Sequence, residues 1–266
     1  MNKIGFIGTG NMGTAIIKGI AGSDISGSTE IYAFDINSEK LAELKKYNVK
    51  PCNDIAETVS VSDIVFLAVK PQMMEQILSE VKPAMTSEKV IVSIAAGISD
   101  TYIESKTVEN AKVILVMPNT PLLLGEGASA LSKSDSVSDE EFETVLGIFK
   151  SCGKAEVISK DKMKEIIAIN GSSPAFIYLF AKGFIDYAVK EGIDRKTAEN
   201  LFVQSLIGSA KMITDSGYSI DELIKMVSSP GGTTLAGLDR LYEGNLLKVI
   251  DNACESCTKR AYELSK

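Results

Sequence analysis

The chain has 266 residues, a formal net charge of −7 and no basic run, which argues against a nucleic-acid partner and leaves room for one large or two modest domains. It contains no histidine, which rules out Ser-His-Asp hydrolysis, histidine-ligated metals and dehydrogenases that use histidine as proton donor. The charge-free stretch Ile166 to Ala181 is too short and too polar to span a bilayer, and the opening residues read as a strand with glycines, not as a signal peptide; no membrane association is expected, and the expected compartment is the cytoplasm.

Lys3 to Gly8 is a short apolar run, read as a buried strand. Gly8-Thr9-Gly10-Asn11-Met12-Gly13 follows at once, and Thr14 to Ile20 reads as a helix. Strand, G-x-G-x-x-G and helix together form a dinucleotide-binding turn: one glycine turns the chain, the next lets the backbone reach a pyrophosphate, the last packs helix on strand. A second strand, Glu30 to Phe34, ends in Asp35, 22 residues beyond Gly13, where an acid binds the ribose diol of the adenosine. A carboxylate repels a 2′-phosphate, and no arginine follows it; Lys40 is the nearest cation. NADH is therefore favoured over NADPH, with either possible.

Further apolar runs at Ile64 to Val69, Val90 to Ala95 and Lys112 to Met117 alternate with helical stretches such as Met73 to Val81 and Asp139 to Ser151. The last opens with the capping box Ser138-x-x-Glu141. Alternation of this kind implies a mostly parallel sheet covered on both faces, and weaker runs at Ala128 to Leu131 and Lys154 to Ile158 extend it. Val69-Lys70-Pro71, Ala95-Ala96-Gly97 and Met117 to Pro121 each follow a strand, where open α/β sheets bind ligands.

From about Lys162 the pattern is helical to the end, with the boundary near Ser159. The expected class is therefore α/β, with a Rossmann-type dinucleotide-binding domain at 1–159 followed by an all-helical domain at 160–266. Asp194 caps a helix through Thr214 whose apolar residues, among them Leu201, Phe202, Leu206 and Ile207, cover more than one face; such a helix is buried on both sides, which suggests packing between subunits. Cys254 and Cys257 form a C-x-x-C in the last helical pattern, with no second pair to complete a zinc site. They are read as incidental, and no metal is expected.

Ser228-Ser229-Pro230-Gly231-Gly232-Thr233-Thr234 lies between the helical patterns Ile220 to Val227 and Leu235 to Leu241. Pro230 fixes its φ and the two glycines let a ligand approach the backbone. Their N–H groups, with those of Thr233 and Thr234, open the next helix and suit a small carboxylate. The same residues also read as a plain helical corner with Thr233 or Thr234 as N-cap.

These stretches, in this order, resemble the pyrroline-5-carboxylate reductases: IGFIGTGNMG at the start, AVKP at 68–71, SIAAG at 93–97, MPNTP at 117–121, GSSPAF at 171–176 and SSPGGTT at 228–234. The resemblance implies that Gly8, Thr9, Gly10, Asn11, Met12, Gly13, Ala68, Val69, Lys70 and Pro71 bind the dinucleotide, with Asn53 near the adenosine ribose. It implies that Ala95, Ala96 and Gly97 approach nicotinamide and substrate, and that Gly231, Gly232, Thr233 and Thr234, with Ser172, belong to the substrate site. It also implies an intertwined homodimer, often assembled into larger rings. One stretch departs: the family usually carries Ser-Gly-Ser-Gly-Pro-Ala where this chain has Asn170-Gly171-Ser172-Ser173-Pro174-Ala175. If the second glycine served a positive φ, Ser173 would be strained there.

The implied reaction is hydride transfer to the C=N carbon of Δ1-pyrroline-5-carboxylate, giving L-proline. A cyclic imine arriving protonated needs positioning and one hydrogen-bonding group more than a strong acid, which accounts for the absent histidine; Thr234 is the candidate for that group. Two other readings share parts of the pattern. A β-hydroxyacid dehydrogenase opens with the same turn but needs a glycine-rich setting around a lysine, absent at Lys182 and Lys211. A non-catalytic dinucleotide-binding relative would keep the fold alone.

Overall fold

The computed structural model describes residues 2–265. Eight strands form one sheet: β1 (Asn2–Ile7), β2 (Thr29–Phe34), β3 (Lys50–Pro51), β4 (Ile64–Leu67), β5 (Val90–Ser93), β6 (Lys112–Met117), β7 (Gly127–Lys133) and β8 (Gly153–Val157). The order is β3-β2-β1-β4-β5-β6-β7-β8, parallel throughout except between β6 and β7. Helices α1 (Asn11–Ala21), α2 (Ser38–Leu44), α3 (Ile55–Val61), α4 (Met74–Val81), α5 (Asp100–Lys106) and α6 (Asp139–Lys150) connect them.

All four residues of β4 and of β5 are buried, as strands covered on both faces require. Successive side chains of β4 enter opposite layers. Ile64 and Phe66 join a core with Ile16 and Ile20 of α1 and Phe149 of α6, while Val65 and Leu67 join one with Val59 of α3 and Leu78 of α4. Phe66 stacks on Phe6 of β1 at 4.7 Å between centroids. Because strand order reverses between β1 and β4, the crevice for a ligand opens there.

Two compact units divide the chain. The first comprises residues 1–174 and 256–266 and contains the sheet. Its last stretch before the division is a π-helical turn, Ile167–Gly171. The second comprises residues 175–255; the divisions fall within α7 (Ser173–Lys190) and α11 (Leu246–Leu264), and the unit also holds α8 (Arg195–Asp215), α9 (Ile220–Met226) and α10 (Thr233–Glu243).

Asp194 caps α8 through the Thr197 N–H, as its position predicts. Within the second unit Phe202 of α8 stacks on Phe184 of α7 at 4.7 Å, yet Leu201 remains 66% exposed and Ile213 52%. Only Ala198 of α8 is buried, so the apolar girdle that the sequence reads as buried on both sides is covered on one side by its own chain and bare on the other. Among the described residues no helix is long and apolar enough to cross a membrane.

Candidate active site

A cleft of about 420 Å³ opens where β1, β2 and β4 end, lined by Gly8, Gly10, Asp35, Ala68, Val69 and Lys70. Gly8 turns the chain at φ +94°, a conformation that side chains disfavour. A Cβ at Gly13 would meet the Gly8 carbonyl at 2.5 Å, whereas one at Gly10 meets nothing within 4 Å. Gly13 thus permits the close packing of α1 on β1, and Gly10 leaves open space over the turn. No side chain caps α1, whose N-cap is Gly10, so its first amides remain available to an anion. This open, donor-rich turn fits a dinucleotide pyrophosphate.

Asp35 is tied to the turn it faces. Its Oδ2 accepts from the Thr9 N–H at 2.6 Å and the Thr9 hydroxyl at 2.9 Å, and its Oδ1 from the Asn37 N–H at 2.9 Å. Partial burial pushes the carboxyl pKa up, but the bonds from Asn37 and Thr9, with Lys40 nearby, outweigh it and hold the pKa below the usual value. The carboxylate stays ionised and retains lone pairs for further donors.

Other expected cofactor residues are placed differently. Thr9 is buried, and its side chain serves Asp35. Asn11 and Met12 begin α1. Pro71 opens a single 3-10 turn before α4. Asn53, beyond β3, gives both its backbone and side-chain N–H to Glu57 and does not line the cleft. Asn37, Lys40 and Met73 line it without having been singled out as binding residues; their scatter over a helix cap and a short turn leaves no motif in the sequence.

A second cavity, about 320 Å³, brings together Ala96, Gly97, Ser172 and Ile167 with Arg260 and Leu264 from the end of α11. Ala95 is buried beside it in a neighbouring hollow lined by Gly97 and Met117. No motif in the last helical stretch signals that α11 returns to this place. Cys257 also lines the cavity; it and the other three cysteines are unbridged.

Two expectations need correction. Ser173 is not among the described non-glycine residues with positive φ, which are Asn48, Asn110 and Asn245. It is the first residue of α7, so a serine there carries no left-handed strain. In the SSPGGTT stretch the N-cap is Gly232, with no side-chain cap, and Thr233 and Thr234 are already the first residues of α10. The N-cap reading of either threonine is therefore wrong. Gly231 makes the turn at φ +71°, and the uncapped start of the 11-residue α10 leaves its leading N–H groups for an anion. This stretch belongs to the second unit.

Sheet order, glycine turn and acid at the end of β2 define a nicotinamide-dinucleotide oxidoreductase with a helical second unit. A sequence profile for the pyrroline-5-carboxylate reductase dimerisation domain matches residues 160–264, and one for NADP oxidoreductases that are coenzyme F420-dependent matches residues 3–97. The pyrroline-5-carboxylate reductase of Methanosarcina acetivorans is 37% identical over 99% of this chain and 98% of its own, and that of Escherichia coli 34% over the same shares. A Coxiella burnetii pyrroline-5-carboxylate reductase structure superposes with a TM-score of 0.91 at 30% identity, covering 100% of this chain and 99% of its own. The Plasmodium falciparum pyrroline carboxylate reductase, solved with NADP bound, gives 0.89 at 30% identity, over 100% and 98%.

The chain belongs to the pyrroline-5-carboxylate reductase family. It reduces Δ1-pyrroline-5-carboxylate to L-proline with NAD(P)H, the last step of proline biosynthesis, and its helical region is the family's dimerisation domain.

Proposed function

We propose that NADH is the better cofactor and that catalysis rests on positioning, with Thr234 as the one group that engages the reacting nitrogen. The observation that carries the cofactor reading is Asp35, held ionised by Thr9 and Asn37 at the end of β2: it accepts from a ribose diol and repels a 2′-phosphate. Gly8 to Gly13 hold the pyrophosphate against the α1 amides, with Ala68 to Pro71 alongside and Asn53 toward the adenosine. The bound nicotinamide supplies a hydride to the imine carbon.

The chain's own residues do the rest. Ala95, Ala96 and Gly97 offer a small, close surface, and Ser172 a hydroxyl. The amides around Gly231, Gly232 and Thr233 hold the substrate carboxylate. The Thr234 hydroxyl accepts from the protonated ring nitrogen, fixing which face of the imine is presented. In this reading the working division of the chain is 1–159 for the dinucleotide and 160–266 for substrate and assembly. The bare face of α8 is an assembly surface of a homo-oligomer larger than a dimer, acting in the cytoplasm. Steady-state rates with each cofactor test the reading: NADH is expected to give the higher kcat/KM, and a tenfold preference for NADPH would overturn it.

A further inference from the structure

Asn170 is a buried polar residue of the π-helical turn. It is 8% exposed. Its Nδ2 donates to the Met117 carbonyl at 2.6 Å and to the Ala128 carbonyl at 3.2 Å. Two acceptors facing one end of the amide fix its orientation, since the flipped amide would set oxygen against both. Its Oδ1 is buried without a partner among the described residues, so the side chain's hold on its surroundings comes through Nδ2 alone.

The carbonyls it joins lie where a β-ladder breaks. The β6–β7 pairing ends at Met117↔Ala130; the same register carried two residues further would set Asn119 opposite Ala128. Ala128 lies beyond the paired residues and has no partner on β6. Two asparagine side chains replace it: Asn119 Oδ1 accepts from the Ala128 N–H at 2.9 Å, and Asn170 Nδ2 donates to the Ala128 carbonyl. Asn170 sits in the π-helical turn, whose widened bond runs from the Ser172 N–H to the Ile167 carbonyl at 2.8 Å. Wide turns of this kind are uncommon and often occur at functional sites. This one ends at Ser172, which faces the cavity shared with Ala96 and Gly97.

We infer that Asn170 is a positioning residue for the reaction: by pinning the π-turn to the broken end of β6 and β7, it sets where Ser172 stands against Ala96 and Gly97. The inference rests on the proposed place of Ser172 in the substrate site. A serine at 170 has one hydroxyl proton and reaches at most one of the two carbonyls.

The test is kinetic, on the full-length enzyme, with Asn170→Ala, Asn170→Ser, Ser172→Ala and the double variant Asn170→Ala/Ser172→Ala. Asn170→Ala is expected to lower kcat/KM for pyrroline-5-carboxylate about tenfold, with KM for NADH within about twofold of wild type and Asn170→Ser intermediate. If Asn170 acts through Ser172, the two losses are not additive. Should Asn170→Ala fail to fold, the split between the two KM values in Asn170→Ser carries the test. Unchanged substrate kinetics in the Asn170 variants, equal losses for cofactor and substrate, or additive losses alongside a damaging Ser172→Ala would each overturn the inference. A harmless Ser172→Ala would instead remove Ser172 from the site, and the inference with it.

Discussion

At the scale of single residues, Asp35 has two tasks on one carboxylate. It secures the glycine turn through Thr9 and faces the cleft. Asp35→Ser is expected to narrow or reverse the preference for NADH over NADPH, read as the ratio of kcat/KM values; an unchanged ratio would detach Asp35 from cofactor choice. Its hydrogen bonds also carry a pH signature. Because the folded pKa is lowered, their stabilisation is fully present above the unfolded value of about 3.9 and is lost as pH falls through the folded one. Thermal unfolding of wild type against Asp35→Asn is expected to show a gap that is constant above about pH 5 and shrinks below about pH 4; a gap undiminished at pH 3 would contradict the assignment. Thr234 is separable in the same way. Thr234→Val keeps the β-branch and deletes the hydroxyl, and a hydrogen bond to a charged group is worth roughly 1.5–3 kcal/mol, so kcat/KM is expected to fall about tenfold to a hundredfold. Since Gly232, not Thr234, is the N-cap, the melting temperature is expected to hold. A variant that loses stability and keeps its turnover would reverse the roles.

At the scale of elements, legibility in the sequence followed burial. Strands β1, β4, β5 and β6 are apolar because helices cover both their faces, and that makes a continuous run. β3 is two exposed residues, Lys50 and Pro51, and leaves no apolar trace. The antiparallel setting of β7 was invisible because direction depends on the turn after Met117, not on composition. Helix starts differ from the sequence reading where small residues double as turn formers: α1 begins at Asn11, inside the glycine motif, and α10 at Thr233, two residues before its apolar pattern. The cleft is readable because each of the three segments that line it, the glycine turn, the acid after β2 and the stretch after β4, directly follows an apolar strand; the cavity at Ser172 is not, because it draws on the π-turn and on the end of α11, 85 residues apart in the case of Ser172 and Cys257. α8 gives the element-scale prediction. Phe202 packs within its own unit, so a charge there tests folding, whereas Leu201 is exposed. Leu201→Glu is expected to shift the enzyme toward smaller species in sedimentation while NADH binding persists; an unaltered mass would take this face out of the interface.

At the scale of the whole molecule, one unit carries a turn for a dinucleotide and the other a bare apolar face and an uncapped helix start. Sedimentation at micromolar concentration is expected to find no active monomer and a mass at least twice the chain's 28.5 kDa; a stable, active monomer would contradict the role given to α8. A paired assay tests the chemistry: NADH oxidation in the presence of Δ1-pyrroline-5-carboxylate, beside NAD reduction with 3-hydroxy acids. Rapid oxidation with formation of L-proline is expected in the first and no turnover in the second; this assigns imine reduction to the enzyme. Turnover of 3-hydroxy acids, or none with either substrate in an enzyme that still binds NADH, would contradict it.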